Sequence, residues 1–121
     1  MLITDQKKLI EIQEEFQNEF PYLKIEFYKH RHETGEGSPE KEILDSNLTI
    51  GSVRSKKTSG DLQIDKDIKV GAFEKSFFER YGLNVQVFRK SGRIWLQTIS
   101  TDEWTLEAQN LKGELSVRAM H

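Results

Sequence analysis

The amino-acid sequence predicts an α+β domain in which a mainly antiparallel sheet carries two amphipathic helices on one face. Three observations support this class: two segments with apolar residues at helical spacing, two segments in which apolar and polar residues alternate, and a correspondence between the two halves of the chain. With 121 residues, the chain fits one domain, 1–121, that can bury a core without disulfides or metals.

The first unit, over about residues 1–54, begins with a predicted helix that Thr4 caps and Pro21 ends. One side of this helix is apolar at spacings of three and four: Leu9, Ile12, Phe16 and Phe20. The strand that follows alternates, so that one of its faces carries Leu23, Ile25 and Phe27. Beyond a loop rich in Gly, Ser and Glu, a second strand is expected over residues 43–54.

The second unit, over about residues 61–100, has the same order of elements. Asp67 is the expected N-cap of its helix, and Gly82 is suited to the position just beyond the helix end. The apolar side of this helix consists of Val70, Phe73, Phe77 and Tyr81.

A hairpin follows the second helix, with Ser91 and Gly92 as a two-residue turn of type I′. Pairing outward from this turn gives two cross-strand pairs, Phe88 with Trp95 and Val87 with Leu96. Both faces of the hairpin then carry large side chains: Val85, Val87 and Leu96 on one, Phe88 and Trp95 on the other.

A terminal helix is predicted over about residues 101–112, with Ser100 and Glu103 as a capping box. Its apolar stripe is short and Gly113 ends it; the stripe consists of Trp104, Ala108 and Leu111. The remaining residues are expected to form a short strand or a frayed tail.

The two units correspond when the chain is shifted by 61 residues. Apolar positions then coincide, among them Ile3 with Ile64, Leu9 with Val70 and Phe16 with Phe77. This favours two similar (β)αββ units followed by a C-terminal helix. Ordinary amphipathic patterning in two unrelated segments is the alternative explanation.

The composition excludes several classes of protein. The chain has no cysteine, so it has neither a disulfide framework, nor a thiolate metal site, nor a cysteine nucleophile. Its formal net charge of −2 argues against a general polyanion binder. The first residues lack the regions of a signal peptide, and no apolar run has the length of a membrane span. We therefore expect a cytoplasmic bacterial protein without a cofactor.

The second face of the sheet is the main candidate for a binding surface. Tyr28, Phe88 and Trp95 are expected to point the same way, with basic neighbours that include Lys24, Lys90 and Arg93. Such a surface suits a protein interface, and aromatic residues beside basic ones also stack nucleobases. Alternatively, the terminal helix covers the face with Trp104 and Leu111, or a second copy of the chain does.

A metal site is a weaker candidate. His30 and His32 lie two residues apart, and with Glu33 they have donor groups that suit zinc or another divalent ion. The alternative is that these residues are chance members of an exposed loop entrance. Glu26 with Glu40, or Asp65 with Asp67, are conceivable acid–base carboxylates, although surface solubility explains most acidic residues of the chain. The sequence contains none of the common catalytic motifs, and no catalytic residue is assigned.

The segments GLNVQVFRKSGRIWLQT and TDEWTLEAQN resemble a family of short bacterial proteins without an assigned function, over about residues 70–113. The element order is also similar to that of class I secretion chaperones, which are small acidic dimers that bind client segments on exposed apolar surfaces. The paired βαβββ units of the glyoxalase/bleomycin-resistance superfamily resemble the internal correspondence. In the metal-binding members of that superfamily the ligands are His and Glu on symmetry-related strands, whereas here His30 aligns with Lys90.

These observations lead to three hypotheses about function. The first is a non-enzymatic protein-binding module, adaptor-like or chaperone-like, that forms a homodimer and uses the face of Tyr28, Phe88 and Trp95 or the loop at residues 31–42. The second is a small-molecule- or metal-dependent enzyme of the paired-repeat type. The third, disfavoured by the acidic charge balance, is single-stranded nucleic-acid binding by stacking.

Overall fold

The computed structural model describes residues 1–31, 37–56 and 60–120. Within this part of the chain, nine helices and strands follow one another: β1 (Leu2–Ile3), α1 (Leu9–Glu19), β2 (Leu23–Tyr28), α2 (Ile50–Val53), β3 (Gly60–Asp61), α3 (Val70–Tyr81), β4 (Asn84–Ser91), β5 (Ile94–Gln97) and α4 (Leu106–Arg118). Single turns of 3₁₀ helix lie at Glu40–Glu42 and Ile99–Thr101. The predicted α+β class is confirmed.

The strands form two small antiparallel sheets. The larger sheet has the order β2-β4-β5, and the smaller one pairs β1 with β3. Beside β2, an isolated bridge joins Tyr28 to Ile43, and the N–H of Leu44 donates to the carbonyl of Phe27. The strand predicted over residues 43–54 is therefore wrong. The segment forms this bridge at Ile43, and residues 50–53 form the helix α2.

The core lies between the larger sheet and the helices α1 and α3. Both predicted helix stripes are buried, and their aromatic rings interlock: the centroid of Phe73 lies 5.3 Å from that of Phe16 and 5.1 Å from that of Phe77. On the sheet, the core side consists of the alternate residues Leu23, Ile25, Phe27, Val85 and Val87. Gly82 follows α3 with φ 69°, a left-handed conformation that suits glycine.

Each of the four described helices begins after the same kind of turn. In each turn an N–H donates to the carbonyl three residues earlier: Lys7 to Thr4, Leu48 to Asp45, Ile68 to Asp65 and Trp104 to Thr101. A Lys or Thr and then a fully buried aliphatic residue come next, the latter being Leu9, Ile50, Val70 and Leu106.

The helix starts are joined in pairs through their backbones. At the start of α1, Leu9 and Ile10 donate to the carbonyls of Leu48 and Ser46 in the turn before α2. At the start of α2, Ile50 and Gly51 donate back to the carbonyls of Lys7 and Asp5 in the turn before α1. The helices α3 and α4 are joined in the same way by Val70 to Trp104, Gly71 to Asp102, Leu106 to Ile68 and Glu107 to Lys66. These bonds satisfy N–H groups that have no partner inside their own helix.

The pairing explains why the predicted caps are wrong. The N-caps are Lys8 for α1 and Lys69 for α3, whereas Thr4 lies four residues upstream of Lys8 and Asp67 lies in the turn that precedes α3. In α4 the cap is Thr105, whose hydroxyl accepts from the N–H of Ala108. The first helical residue is set by the partner turn, so a side-chain cap further upstream is not needed.

The hairpin has a different register from the predicted one. Ser91 pairs with Ile94 and Lys90 with Trp95, so the two-residue turn consists of Gly92 and Arg93. Of these two turn residues, Gly92 has a positive φ, 61°, and Arg93 does not. A positive φ at the first turn residue alone defines a type II′ turn, whereas type I′ requires it at both. Phe88 and Trp95 remain on one face because the change alters the pairing by two residues.

Two predictions about apolar positions near this hairpin are wrong. Leu96 lies opposite Arg89 on the edge strand β5 and is 38% exposed. The predicted stripe of α4 also faces outward, with Trp104 and Leu111 40% and 52% exposed. The inward side of α4 consists instead of Leu106, Gln109 and Gly113.

The predicted bounds of the terminal helix are wrong: α4 begins at Leu106 instead of near residue 101 and continues through Gly113, its predicted end, to Arg118. It lies on the same side of the sheet as α1 and α3. Gln109 accepts a hydrogen bond from the guanidinium of Arg89, 3.0 Å away, and Arg89 alternates with Val87 on the core side of β4. Gly113 lies within the helix and approaches the sheet closely: a Cβ there would lie 2.9 Å from Cβ of Tyr22 and 3.0 Å from its carbonyl oxygen. The expectation that the terminal helix covers the face of Phe88 and Trp95 is therefore wrong.

Gly113→Ala tests this close approach. Helix propensity alone predicts that the change stabilises the protein by about 1 kcal/mol. The contact with Tyr22 predicts the opposite, a loss of about 1–3 kcal/mol, because backbone and Cβ atoms have to move. Urea unfolding measures the difference, with the exposed Lys112→Ala as a control for propensity. A raised midpoint for Gly113→Ala contradicts the close packing of α4 on the sheet.

Candidate functional site

The sheet face opposite the helices is the candidate site. On this face β2 presents Lys24, Glu26 and Tyr28, and β4 presents Gln86 and Phe88. Lys24 pairs with Phe88 and Glu26 pairs with Gln86, so that the charged residues of β2 lie directly beside polar and aromatic residues of β4. From β5, Trp95 and Gln97 complete the face.

Phe88 and Trp95 form an aromatic shelf at one end of this face. Both side chains are partly exposed. The ammonium of Lys24 lies 5.1 Å from the ring centroid of Phe88 and 5.3 Å from that of Trp95, and the ammonium of Lys90 lies 4.9 Å from that of Trp95. These distances allow cation–π attraction. The shelf is therefore a pair of rings between two positive charges.

The other end of the face is covered by residues 37–43. The side-chain amide of Gln97 accepts from the N–H of Ser38 and donates to its carbonyl, both at 2.9 Å. The hydroxyl of Ser38 also donates to Gln86, at 3.3 Å. Together with the bridge between Tyr28 and Ile43, these bonds hold the segment across the sheet. Tyr28 is consequently only 2% exposed and is not part of an open surface, contrary to the sequence-based expectation.

A cavity of about 290 Å³ lies between the aromatic shelf and this covering segment. Its lining consists of eight residues from the sheet and the covering segment: Lys24, Glu26, Tyr28, Glu40, Ile43, Phe88, Trp95 and Gln97. Glu26 is already engaged: its carboxylate lies 3.5 Å from the ammonium of Lys24 and accepts from Gln13 at 3.3 Å. The cavity thus joins the covered and the exposed half of the face.

The hydroxyl of Tyr28 is the unusual polar group of this cavity. It is buried and has no hydrogen-bond partner among the described residues. Burial raises the pKa of Tyr28 well above its usual range, and the negative charges of Glu26, Glu40 and Glu74 raise it further. The hydroxyl therefore stays protonated and can donate a hydrogen bond.

The remaining predicted site residues lie elsewhere. Arg93 is exposed in the hairpin turn, and Trp104 lies on the helix side, with the guanidinium of Arg89 5.8 Å from its ring centroid. His30 is exposed, and its Nδ1 contacts the carboxylate of Glu42. The other two candidate metal ligands, His32 and Glu33, lie outside the described residues.

Across residues 1–31, 37–56 and 60–120, no group of three or more His, Asp or Glu side chains is placed to hold a metal ion. In the same part of the chain, no helix is both long and apolar enough to cross a membrane.

Sequence reasoning missed one residue that shapes the site, Gln97, which lines the cavity and anchors the covering segment. The alternation of β5 puts Gln97 on the face of Trp95, which is a usable signal once the strand is assigned. Glu26 and Glu40, named from the sequence as a possible carboxylate pair, line the same cavity.

A scan of the chain against protein-family models finds no match, and neither does a search of curated proteins or of solved structures. The resemblances inferred from the sequence therefore stay predictions.

The contrast between shelf and core is tested by two matched substitutions. Phe77→Ala removes a fully buried ring and is expected to cost about 3–5 kcal/mol of unfolding free energy. Phe88→Ala is expected to cost less than about 2 kcal/mol, since its ring is only partly buried. Chemical denaturation of both variants measures the difference. Equal losses contradict an accessible shelf and place Phe88 in the core.

Proposed function

We propose that this chain is a non-enzymatic protein-binding module, adaptor-like or chaperone-like, that holds a segment of another protein on the aromatic shelf. The observation that carries the proposal is the position of Phe88 and Trp95. They lie partly exposed on the sheet face opposite α1, α3 and α4, beside a cavity. Among the described residues, neither ring belongs to the buried core, which the helices cover from the other face of the sheet.

The chemistry of the shelf suits a protein partner. Aromatic residues contribute much of the free energy of protein interfaces, mainly where they are surrounded by polar groups that exclude water. Around Phe88 and Trp95 such groups are present: the ammonium groups of Lys24 and Lys90 and the carboxylate of Glu26. A segment with one apolar side chain fits on the rings, and its polar neighbours meet these charges.

We also propose that the domain is built from two similar units and that it associates with itself. The equal pairing of helix starts in the two halves supports the first part, since both halves contain the same turns and the same reciprocal bonds. Exposed apolar side chains on α4 and β5 support the second: Ile94, Leu96, Trp104, Leu111 and Leu115. The described residues add no observation in favour of the enzyme or the nucleic-acid binder, which stay predictions of the sequence.

Selection from a random peptide library tests the proposal. The wild-type protein is immobilised, and soluble Phe88→Ser/Trp95→Ser protein is added in excess to remove peptides that bind other surfaces. We expect peptides that survive this competition and that lose about 2 kcal/mol or more of binding free energy against Phe88→Ser, as hot-spot residues do. Their binding is followed by Trp95 fluorescence in a Trp104→Phe background, which leaves one tryptophan.

The matched control is Phe78→Ser on α3, a partly exposed phenylalanine outside the shelf. It is expected to leave peptide affinity unchanged. If no peptide survives the competition, or if survivors bind Phe88→Ser as well as the wild type, the proposed function is wrong. Sedimentation of the same samples shows whether a second copy of the chain is bound.

A further inference from the structure

We infer that the cavity beside the aromatic shelf binds the positively charged end of a basic side chain, in particular the guanidinium of an arginine in the bound segment. The inference rests on the proposed function, and it specifies the chemistry of the partner. It is carried by three features of the cavity: a carboxylate and a buried hydroxyl that have no partner among the described residues, and two rings that already face a cation.

Glu40 and Tyr28 are the polar groups of the cavity that are free to meet a ligand. Glu40 is exposed, and its carboxylate forms no ion pair with a described residue. The hydroxyl of Tyr28 is buried and has no hydrogen-bond partner among the described residues. A buried hydroxyl without a hydrogen bond is costly, since burial removes its bonds to water. Both groups line the same cavity, so one ligand that donates several hydrogen bonds would satisfy both.

The balance of charge in the cavity favours a cation. Two carboxylates, Glu26 and Glu40, line it against one ammonium, that of Lys24, whereas Lys90 faces the ring of Trp95 without lining the cavity. The ammonium of Lys24 is engaged with Glu26 at 3.5 Å, which leaves the charge of Glu40 unmatched. An anionic ligand would have to approach two carboxylates, and three metal ligands are not assembled among the described residues. An organic cation is the class that fits.

The position of the Lys24 ammonium shows that the two rings can hold a positive charge beside them. The ammonium lies 5.1 Å and 5.3 Å from the ring centroids of Phe88 and Trp95. A guanidinium stacks on such rings and presents up to five donors in a planar fork, so it meets rings, carboxylate and hydroxyl together. An ammonium has no plane to stack, which is why arginine is the side chain we expect.

The experiment titrates N-acetyl-arginine-N-methylamide into the Trp104→Phe protein and records Trp95 emission at constant ionic strength. The neutral N-acetyl-citrulline-N-methylamide, nearly the same shape, is the ligand control. We expect a saturable change with the arginine probe and none with the citrulline probe. A linear response, or equal responses to the two probes, overturns the inference.

Three variants locate the binding. Glu40→Gln is expected to weaken the arginine probe about tenfold, as loss of a charged hydrogen-bond partner does. Tyr28→Phe removes the buried hydroxyl, and its weakening of the probe shows that the cavity is occupied and not only the shelf. Glu14→Gln, an exposed carboxylate on α1 that does not line the cavity, is the matched control and is expected to leave affinity unchanged. If Glu40→Gln and Glu14→Gln behave alike, the probe is not in the cavity and the inference fails.

Lys24→Met distinguishes the binding of a basic side chain from the binding of an acidic one. It removes the ammonium that competes for the rings, so the arginine probe is expected to bind several-fold more tightly. Weaker binding contradicts the inference.

The peptides of the preceding section distinguish the two proposals. Peptides that bind the shelf without a basic residue, together with a silent arginine probe, leave the proposed function standing and overturn this inference. A saturable probe without any selected peptide supports a cavity for free organic cations and overturns the proposed function.

Discussion

The reciprocal bonds between helix starts are the constraint on which the rest of the structure depends. The first N–H groups of a helix have no partner inside it, and side-chain caps or water usually satisfy them. Here the carbonyls of a neighbouring turn do so, for α1 with α2 and for α3 with α4. Each such bond is worth about 1 kcal/mol, but the larger consequence is geometric, because each helix start is held in register with its partner.

This geometry decides which face of the sheet stays open. The helices α1 and α3 bury their aromatic stripes against one face. Because the start of α4 is bonded to the turn before α3, α4 has to follow the same side, where Gly113 allows it to touch the sheet. The opposite face is then left to residues 37–43, which cover Tyr28 and leave Phe88 and Trp95 partly exposed. The positions of the shelf and the cavity thus follow from the bonds that join the helix starts.

The periodicity of apolar residues predicts much of the fold. The predictions that were wrong concern features that depend on contacts between segments distant in the sequence. The stripes of α1 and α3 and the alternation of β2 were predicted correctly, since burial on a continuous face leaves a clear pattern. The stripe predicted for the terminal helix, with Trp104 and Leu111, faces outward, because the inward side of α4 is formed by a glycine at a close approach and by Gln109 with its hydrogen bonds. The site was predicted as a face but not as a cavity: nothing in the local sequence indicates that the amide of Gln97 anchors Ser38 and so buries Tyr28.

Amide hydrogen exchange of the native protein tests the central constraint most directly. Eight N–H groups are involved, those of Leu9, Ile10, Ile50, Gly51, Val70, Gly71, Leu106 and Glu107. The structure predicts that these amides are protected to a degree comparable with the central residues of β2 and β4, because each is bonded to a carbonyl of the partner turn and is released only when the two helix starts separate. Rapid exchange of these eight, as in an ordinary first helical turn exposed to water, would contradict the account.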